Sequence, residues 1–190
     1  ASTGVTDERV APAFWLTWLA TKISTARLGT IAVLVLGFLA FIPFLGSLTL
    51  WDPWETHYGE VARAMIARDD FVYPYWESAY FFSKPAMPLW MIAIGLWFVR
   101  AEHQPPGEPL GDWVEWGVRM PFALTAIATV YAVYRIAKHI HSREAGLVTA
   151  FVLASSAQFI FIGKQAMSDM PFVGFMTIGL WFFCEAVFDN

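Results

Sequence analysis

Five charged side chains stand where their types and neighbours give them chemistry. Asp52 and Glu55 lie three residues apart in Asp52-Pro53-Trp54-Glu55. A carboxylate at such a site can take a proton from a hydroxyl group as a general base. The same spacing also starts a helix well, with Asp at the N-cap, Pro at the first helical position and Glu at the third. Lys84, before Pro85, is the lone lysine of the segment 52–117. It follows Tyr73, Tyr75, Trp76, Tyr80, Phe81 and Phe82, and serves either as a cation for a phosphate or as a snorkelling anchor in an aromatic belt. Arg119-Met120-Pro121 and Ser168-Asp169-Met170-Pro171 each open an apolar run. Helix anchoring or capping explains Arg119 and Asp169, and so does contact with a ligand.

The elements that must position these groups belong to a membrane. Of 190 residues, 57% are hydrophobic and 15% charged, a balance that leaves too few polar groups to cover a soluble surface. No charge occurs over 28–51, 120–134, 145–163 or 170–184. A helix needs about 20 residues to cross the hydrocarbon. The expected crossings are 28–50, 118–137, 145–163 and 170–188. The fold class is all-α: a polytopic bundle of about four transmembrane helices, with amphipathic juxtamembrane helices in a first outer loop at 52–117. The first crossing is read as a retained helix, since it is too long for a signal-peptide core. Residues 1–27 form a separate segment, whose Phe14, Trp15, Leu16, Trp18 and Leu19 beside Lys22 and Arg27 suit a helix resting on the cytoplasmic face or an ordinary terminus.

Charge fixes the orientation. The loop 52–117 carries ten acidic residues and four basic ones, whereas 135–143 reads RIAKHIHSR with no acid. The positive-inside rule puts the latter in the cytoplasm. Residues 86–99 then cannot cross without reversing that loop. At fourteen residues they read as an interfacial or re-entrant helix. Asp52, Glu55, Lys84, Arg119 and Asp169 all fall at the outer face. Within the loop, Tyr58, Val61, Ala62, Met65 and Ile66 recur at helical spacing and predict an amphipathic helix ending near Arg68.

Several functions are excluded or left unsupported. The lone Cys184 forbids an internal disulfide. The four histidines, His57, His103, His139 and His141, fall into no zinc-ligand spacing. A net charge of −4 argues against a nucleic-acid partner. No cofactor is indicated by the sequence, which leaves a divalent metal open.

The order of these motifs is more specific than any one of them. WDPWETHYGEVARAM, then FFSKP, RMP, a basic loop and SDMP resemble the start of the polytopic glycosyltransferases of the GT-C class. The likeness is to bacterial relatives of protein O-mannosyltransferases and of the lipid A aminoarabinose transferase. It covers about 28–188 and is tightest over 51–90. It implies a membrane enzyme, multi-pass in the bacterial inner membrane and active at its periplasmic face. Such an enzyme moves a sugar from a polyprenyl-phosphate donor to a hydroxyl of a lipid or protein acceptor, with inversion. Asp52 and Glu55 are then the base candidates, Lys84 and Arg119 the phosphate ligands, and Asp169, Tyr58 and His57 further substrate contacts. Three departures from the family pattern bear on the site: Trp54 separates the acids, His57 stands where Arg is common, and Ala86 replaces a second proline. The alternative reading is a transporter or a non-catalytic membrane subunit with an acidic binding loop. Transporters place ionisable groups near the midplane, whereas here they sit at the ends of the runs. The chain is expected to be the N-terminal part of a longer protein.

Overall fold

The computed structural model describes residues 27–100 and 113–188; the expected surface segment at the N-terminus lies outside them. The elements run α1 Arg27–Phe41, α2 Trp54–Arg68, β1 Tyr75–Trp76, β2 Ala79–Tyr80, α3 Ala86–Phe98, α4 Val114–Ile140, α5 Arg143–Ser155, α6 Ala157–Gly163 and α7 Asp169–Phe188. The two short strands form one antiparallel hairpin, with Tyr75 opposite Tyr80 and Trp76 opposite Ala79. The protein is an all-α membrane bundle.

Its surface shows why. Leu124, Val148, Phe151, Phe172, Phe175, Met176 and Phe183 are exposed, while Ala123, Ala126, Ala132, Ala150 and Ala154 are buried. Large apolar side chains outside and small ones at helix contacts are the arrangement expected in lipid, where close backbone packing drives association. α4 is the central helix and packs on α3, α5 and α7. The tightest approach joins α3 to α4: a methyl group at Gly95 would lie 1.9 Å from the Gly117 carbonyl oxygen.

α4 and α7 are long and apolar enough to cross a bilayer, and α5 with α6 makes a third if that bent pair is one span. Two of the four expected crossings are therefore changed. The run 28–50 is not one helix, because α1 stops at Phe41. Pro43 disfavours helical geometry at Ile42 and has no N–H to continue the ladder; Phe44 then takes φ 60°. The run 145–163 bends by 69° at Ser156, whose backbone is extended at ψ 120°. The short α3, with 13 residues, falls below the length of a span, as expected for 86–99.

α2 forms where its apolar spacing requires. Tyr58, Val61, Ala62 and Met65 are buried on one face. The helix stops at Asp69, which adopts the left-handed conformation at φ 50° and closes the end through its N–H to Ile66 and Met65 carbonyls. Its other end departs from expectation. The N-cap is Pro53, with no side-chain capping bond, so neither Asp52 nor Glu55 takes the place that a capping box gives it.

Candidate active site

Glu55 is wholly buried, and Arg119 is 6% exposed. Arg119 Nε donates to Glu55 Oε1 at 2.9 Å and Oε2 at 3.2 Å, and Nη2 donates to Oε2 at 2.6 Å. The remaining guanidinium hydrogens go to backbone carbonyls: Nη1 to Leu45 at 3.0 Å and Leu48 at 2.7 Å, and Nη2 to Thr49 at 2.8 Å. All the donors of the fork are thereby used. Glu55 is equally full. Its Oε2 accepts from the Trp51 N–H at 2.8 Å, and its Oε1 from the Ala166 N–H at 2.8 Å.

This pair is a latch. It ties the loop after α1, the start of α2, the first turns of α4 and the segment between α6 and α7 to one point. Arg119 folds the loop because that chain, having left helical geometry at Pro43, has carbonyls without intrahelical partners. Glu55, expected as a base, and Arg119, expected as a phosphate ligand, are both buried with their hydrogen-bonding groups in use, and each borders a groove: Arg119 one of about 470 Å³ and Glu55 one of about 150 Å³.

Asp52 differs. It is exposed, and its Oδ1 accepts from the Thr56 hydroxyl at 2.8 Å. No ion pair engages it among the described residues. The latch holds it indirectly, since Trp51 is bonded to Glu55 and Asp52 is the next residue. A carboxylate that is fixed in place yet open to solvent is the geometry a general base needs.

The other expected residues gather around this point to different degrees. His57 stacks on Trp76, with ring centroids 3.8 Å apart, and lies 4.8 Å from Phe81; its Nε2 is buried without a hydrogen-bond partner. Tyr58 is 6% exposed, with its ring 6.4 Å from Phe81. Both therefore dock the hairpin segment onto α2. Lys84 follows Phe81 by three residues, a reach of about 10 Å at most, and it is half-buried. It has no hydrogen bond or ion pair among the described residues. Asp169 is exposed at the first position of α7. It stands three residues beyond Ala166, the residue bonded to Glu55.

At Trp51, the residue before Asp52, lies a groove of about 470 Å³ whose lining includes Phe44, Leu45, Arg119, Phe161, Lys164 and Gln165. Trp51 and Phe161 meet edge to face at 6.1 Å. Lys164 Nζ donates to the Pro43 carbonyl at 2.8 Å, and burial holds its pKa below the ordinary lysine value. Sequence reasoning missed Lys164. The signal was present: it is the cation that ends the uncharged run 145–163, on the same side as Asp52. Apolar walls with a lysine and an arginine suit an amphiphile that carries an anionic group. Among the described residues, no group of three or more His, Cys, Asp or Glu side chains is placed to hold a metal ion.

At the opposite end of α4, Arg135 pairs with Glu185 of α7. Trp181 Nε1 also donates to Glu185, at 2.7 Å. Neither was singled out as a site in the sequence: Arg135 was read only as the start of the basic segment 135–143, and Glu185 ends the uncharged run 170–184.

Comparison with known proteins agrees with the motif order. The family described as dolichyl-phosphate-mannose-protein mannosyltransferase matches residues 83–190, more than half of the chain. The chain belongs to this family. Curated relatives extend the similarity through the Asp52 region. An undecaprenyl phosphate-alpha-4-amino-4-deoxy-L-arabinose arabinosyl transferase of Edwardsiella ictaluri is 26% identical over 153 residues, 80% of this chain and 26% of the relative. Proteins of the same name, numbered 2, occur in two strains of Pseudomonas fluorescens. One is 31% identical over 76% of this chain and 25% of the relative; the other is 28% identical over 90% of this chain and 28% of the relative. The chain thus spans about a quarter of the length of these mannosyltransferase-family relatives. No solved structure matches it.

Proposed function

We propose that this chain forms the first catalytic portion of a membrane glycosyltransferase. The enzyme would move a sugar from a polyprenyl-phosphate donor to an acceptor hydroxyl at the periplasmic face of a bacterial inner membrane, inverting the anomeric carbon. Residues 28–190 would be the N-terminal part of its membrane module, and 1–27 a segment on the cytoplasmic side. The observation that carries the reading is the division of labour between two acids three residues apart: Glu55 is locked in the latch, and Asp52 is presented beside an amphiphilic groove. Support also comes from the relatives, whose names specify an undecaprenyl-phosphate-linked aminoarabinose.

In this reading Asp52 accepts the proton of the acceptor hydroxyl as its oxygen attacks the anomeric carbon. The new glycosidic bond forms while the bond from that carbon to the phosphate oxygen breaks. The electron pair leaves with the lipid phosphate, whose charge the ammonium groups of Lys84 and Lys164 stabilise. Asp169, at the start of α7, orients the sugar. The polyprenyl chain lies in the bilayer, and its first units follow the Trp51–Phe161 wall. Glu55 and Arg119 hold the frame and touch no reacting atom.

The test uses the full-length protein in phospholipid vesicles with an undecaprenyl-phosphate-linked aminoarabinose donor. Asp52→Asn should lower the transfer rate by about 10²–10⁴ and leave thermal unfolding unchanged. Transfer at the wild-type rate by the folded variant would remove Asp52 from the chemistry.

A further inference from the structure

A second cleft reaches Thr56, the residue bonded to Asp52. It has a volume of about 240 Å³ and lies between α2, α3 and the start of α4. Thr56, Gly59, Glu60 and Arg63 form its α2 side, and Leu50 and Val118 part of its apolar wall. Thr56 connects it to Asp52, because it lines the cleft and its hydroxyl donates to Asp52 Oδ1 at 2.8 Å. Arg63 and Glu60, both lining the cleft, are paired, with Arg63 Nε donating to Glu60 Oε2 at 2.8 Å. The pair adds no net charge to the lining.

Gly59 is the informative residue. It lies inside α2, where glycine is the poorest helix former after proline. No contact requires it: a methyl group there would meet only Leu50 Cδ1, at 3.9 Å. It also has no positive φ, the other usual reason for a glycine. Alanine would fit the fold and favour the helix. What the missing methyl group provides is space in the cleft.

We infer that this cleft binds the hydroxyl-bearing head group of the acceptor, and that Gly59 sets the size of the group admitted. The inference rests on Asp52 as the base, since Thr56 places the cleft within one hydrogen bond of that carboxylate. The acceptor class follows from the lining. A cleft of 240 Å³ is below the about 300–1,000 Å³ of sites for drug-sized ligands, so it takes one small head group. The mutually neutralised Glu60 and Arg63 suit an uncharged polyol, and the Leu50 and Val118 wall suits an apolar stem attached to it. The Trp51 groove, with its lysine, shares no lining residue with this cleft and is left for the anionic donor.

The experiment compares full-length wild type, Gly59→Ala and Gly59→Leu in phospholipid vesicles, with saturating undecaprenyl-phosphate-linked aminoarabinose and n-octyl β-D-glucoside as the acceptor probe. Transfer to the probe is expected from the wild type. Gly59→Ala should melt at a higher temperature, raise the acceptor KM about tenfold or more, and leave the donor KM unchanged. Gly59→Leu should abolish transfer to the glucoside while still binding donor. An unchanged acceptor KM in both variants would overturn the inference, as would a donor KM that rises in step, or wild type that cannot use a one-sugar head group at all. Asp52→Asn in the same assay separates the two readings. It should lower kcat with little change in acceptor KM. Normal kcat in that variant would remove the base while the effect of Gly59 on KM still reports on the cleft.

Discussion

α4 carries an arginine–glutamate pair at each end, and the two do different things. At one end Arg119 and Glu55 are almost wholly enclosed, with side-chain exposures of 7% and 1%. Every polar atom of the pair has a partner, and several of those partners are backbone groups of the loop after α1. At the other end Arg135 and Glu185 are 32% and 25% exposed. Their partners are side chains on the two helices themselves: Tyr131, whose hydroxyl accepts from Arg135 Nη1 at 3.1 Å, and Trp181, whose ring lies 5.1 Å from the guanidinium carbon. The first pair shapes irregular backbone; the second clamps two preformed helices. Burial therefore does not by itself mark a reacting group. In this protein the most buried acid is part of the framework, and the exposed acid three residues away is the one proposed as the base.

The largest expected effect tests that contrast directly. Glu55→Gln leaves the Arg119 charge enclosed without a counter-charge, which costs about 3–5 kcal/mol when such a pair is broken. Unfolding followed by circular dichroism in detergent micelles should show it, and adding Arg119→Met should recover part of the loss. A change in stability no larger than that of Asp52→Asn would end the distinction between latch and base. The equivalent change at the other end, Glu185→Gln, should cost about 1 kcal/mol or less, because the pair is partly solvated and both helices form without it. Trp181 fluorescence should report the charge lost beside its indole. A loss equal to that of Glu55→Gln would make the two ends alike.

The smallest effect concerns a third carboxylate, which does at the surface what Glu55 does inside. Asp70 Oδ1 accepts from the N–H groups of Val72 and Tyr73, each at 3.0 Å. Those bonds, the Tyr73 one first, hold its pKa below the ordinary aspartate value. Its contribution to the turn leading into the hairpin is therefore complete above the ordinary value. It is lost as pH falls from there through the lowered one. The protection of the Val72 and Tyr73 amides relative to their intrinsic exchange rates should fall over that window, and Asp70→Ala should show the low protection at every pH. Protection that is independent of pH in the wild type would show that the hairpin is held by its aromatic contacts alone.

How much of this was legible depends on the range of the interaction. The α2 stripe of Tyr58, Val61, Ala62 and Met65 was readable because one helix face repeats every three or four residues. The short α3 was readable from its length. The break of α1 at Pro43 was also local, yet the uncharged run through Trp51 concealed it: hydropathy measures what the lipid tolerates, and backbone geometry stops the helix. The capping-box spacing of Asp52 and Glu55 was real as a pattern, but its outcome was decided elsewhere. Arg119, 64 positions away from Glu55, drew that carboxylate inward and left Asp52 outside.

The sequence by itself determined that this is an all-α membrane protein, which segment is acidic and which basic, and that its charged motifs stand at the ends of apolar runs. Those features follow from composition and from spacing along one element, where neighbours in sequence are neighbours in space. Tertiary structure alone decided which acid is framework and which is exposed, that Lys164 faces a groove with Trp51, and that Gly59 opens a cleft next to Thr56. Each depends on groups brought together from distant parts of the chain. The fate of a buried charge depends on the partners that surround it, and no local spacing specifies them.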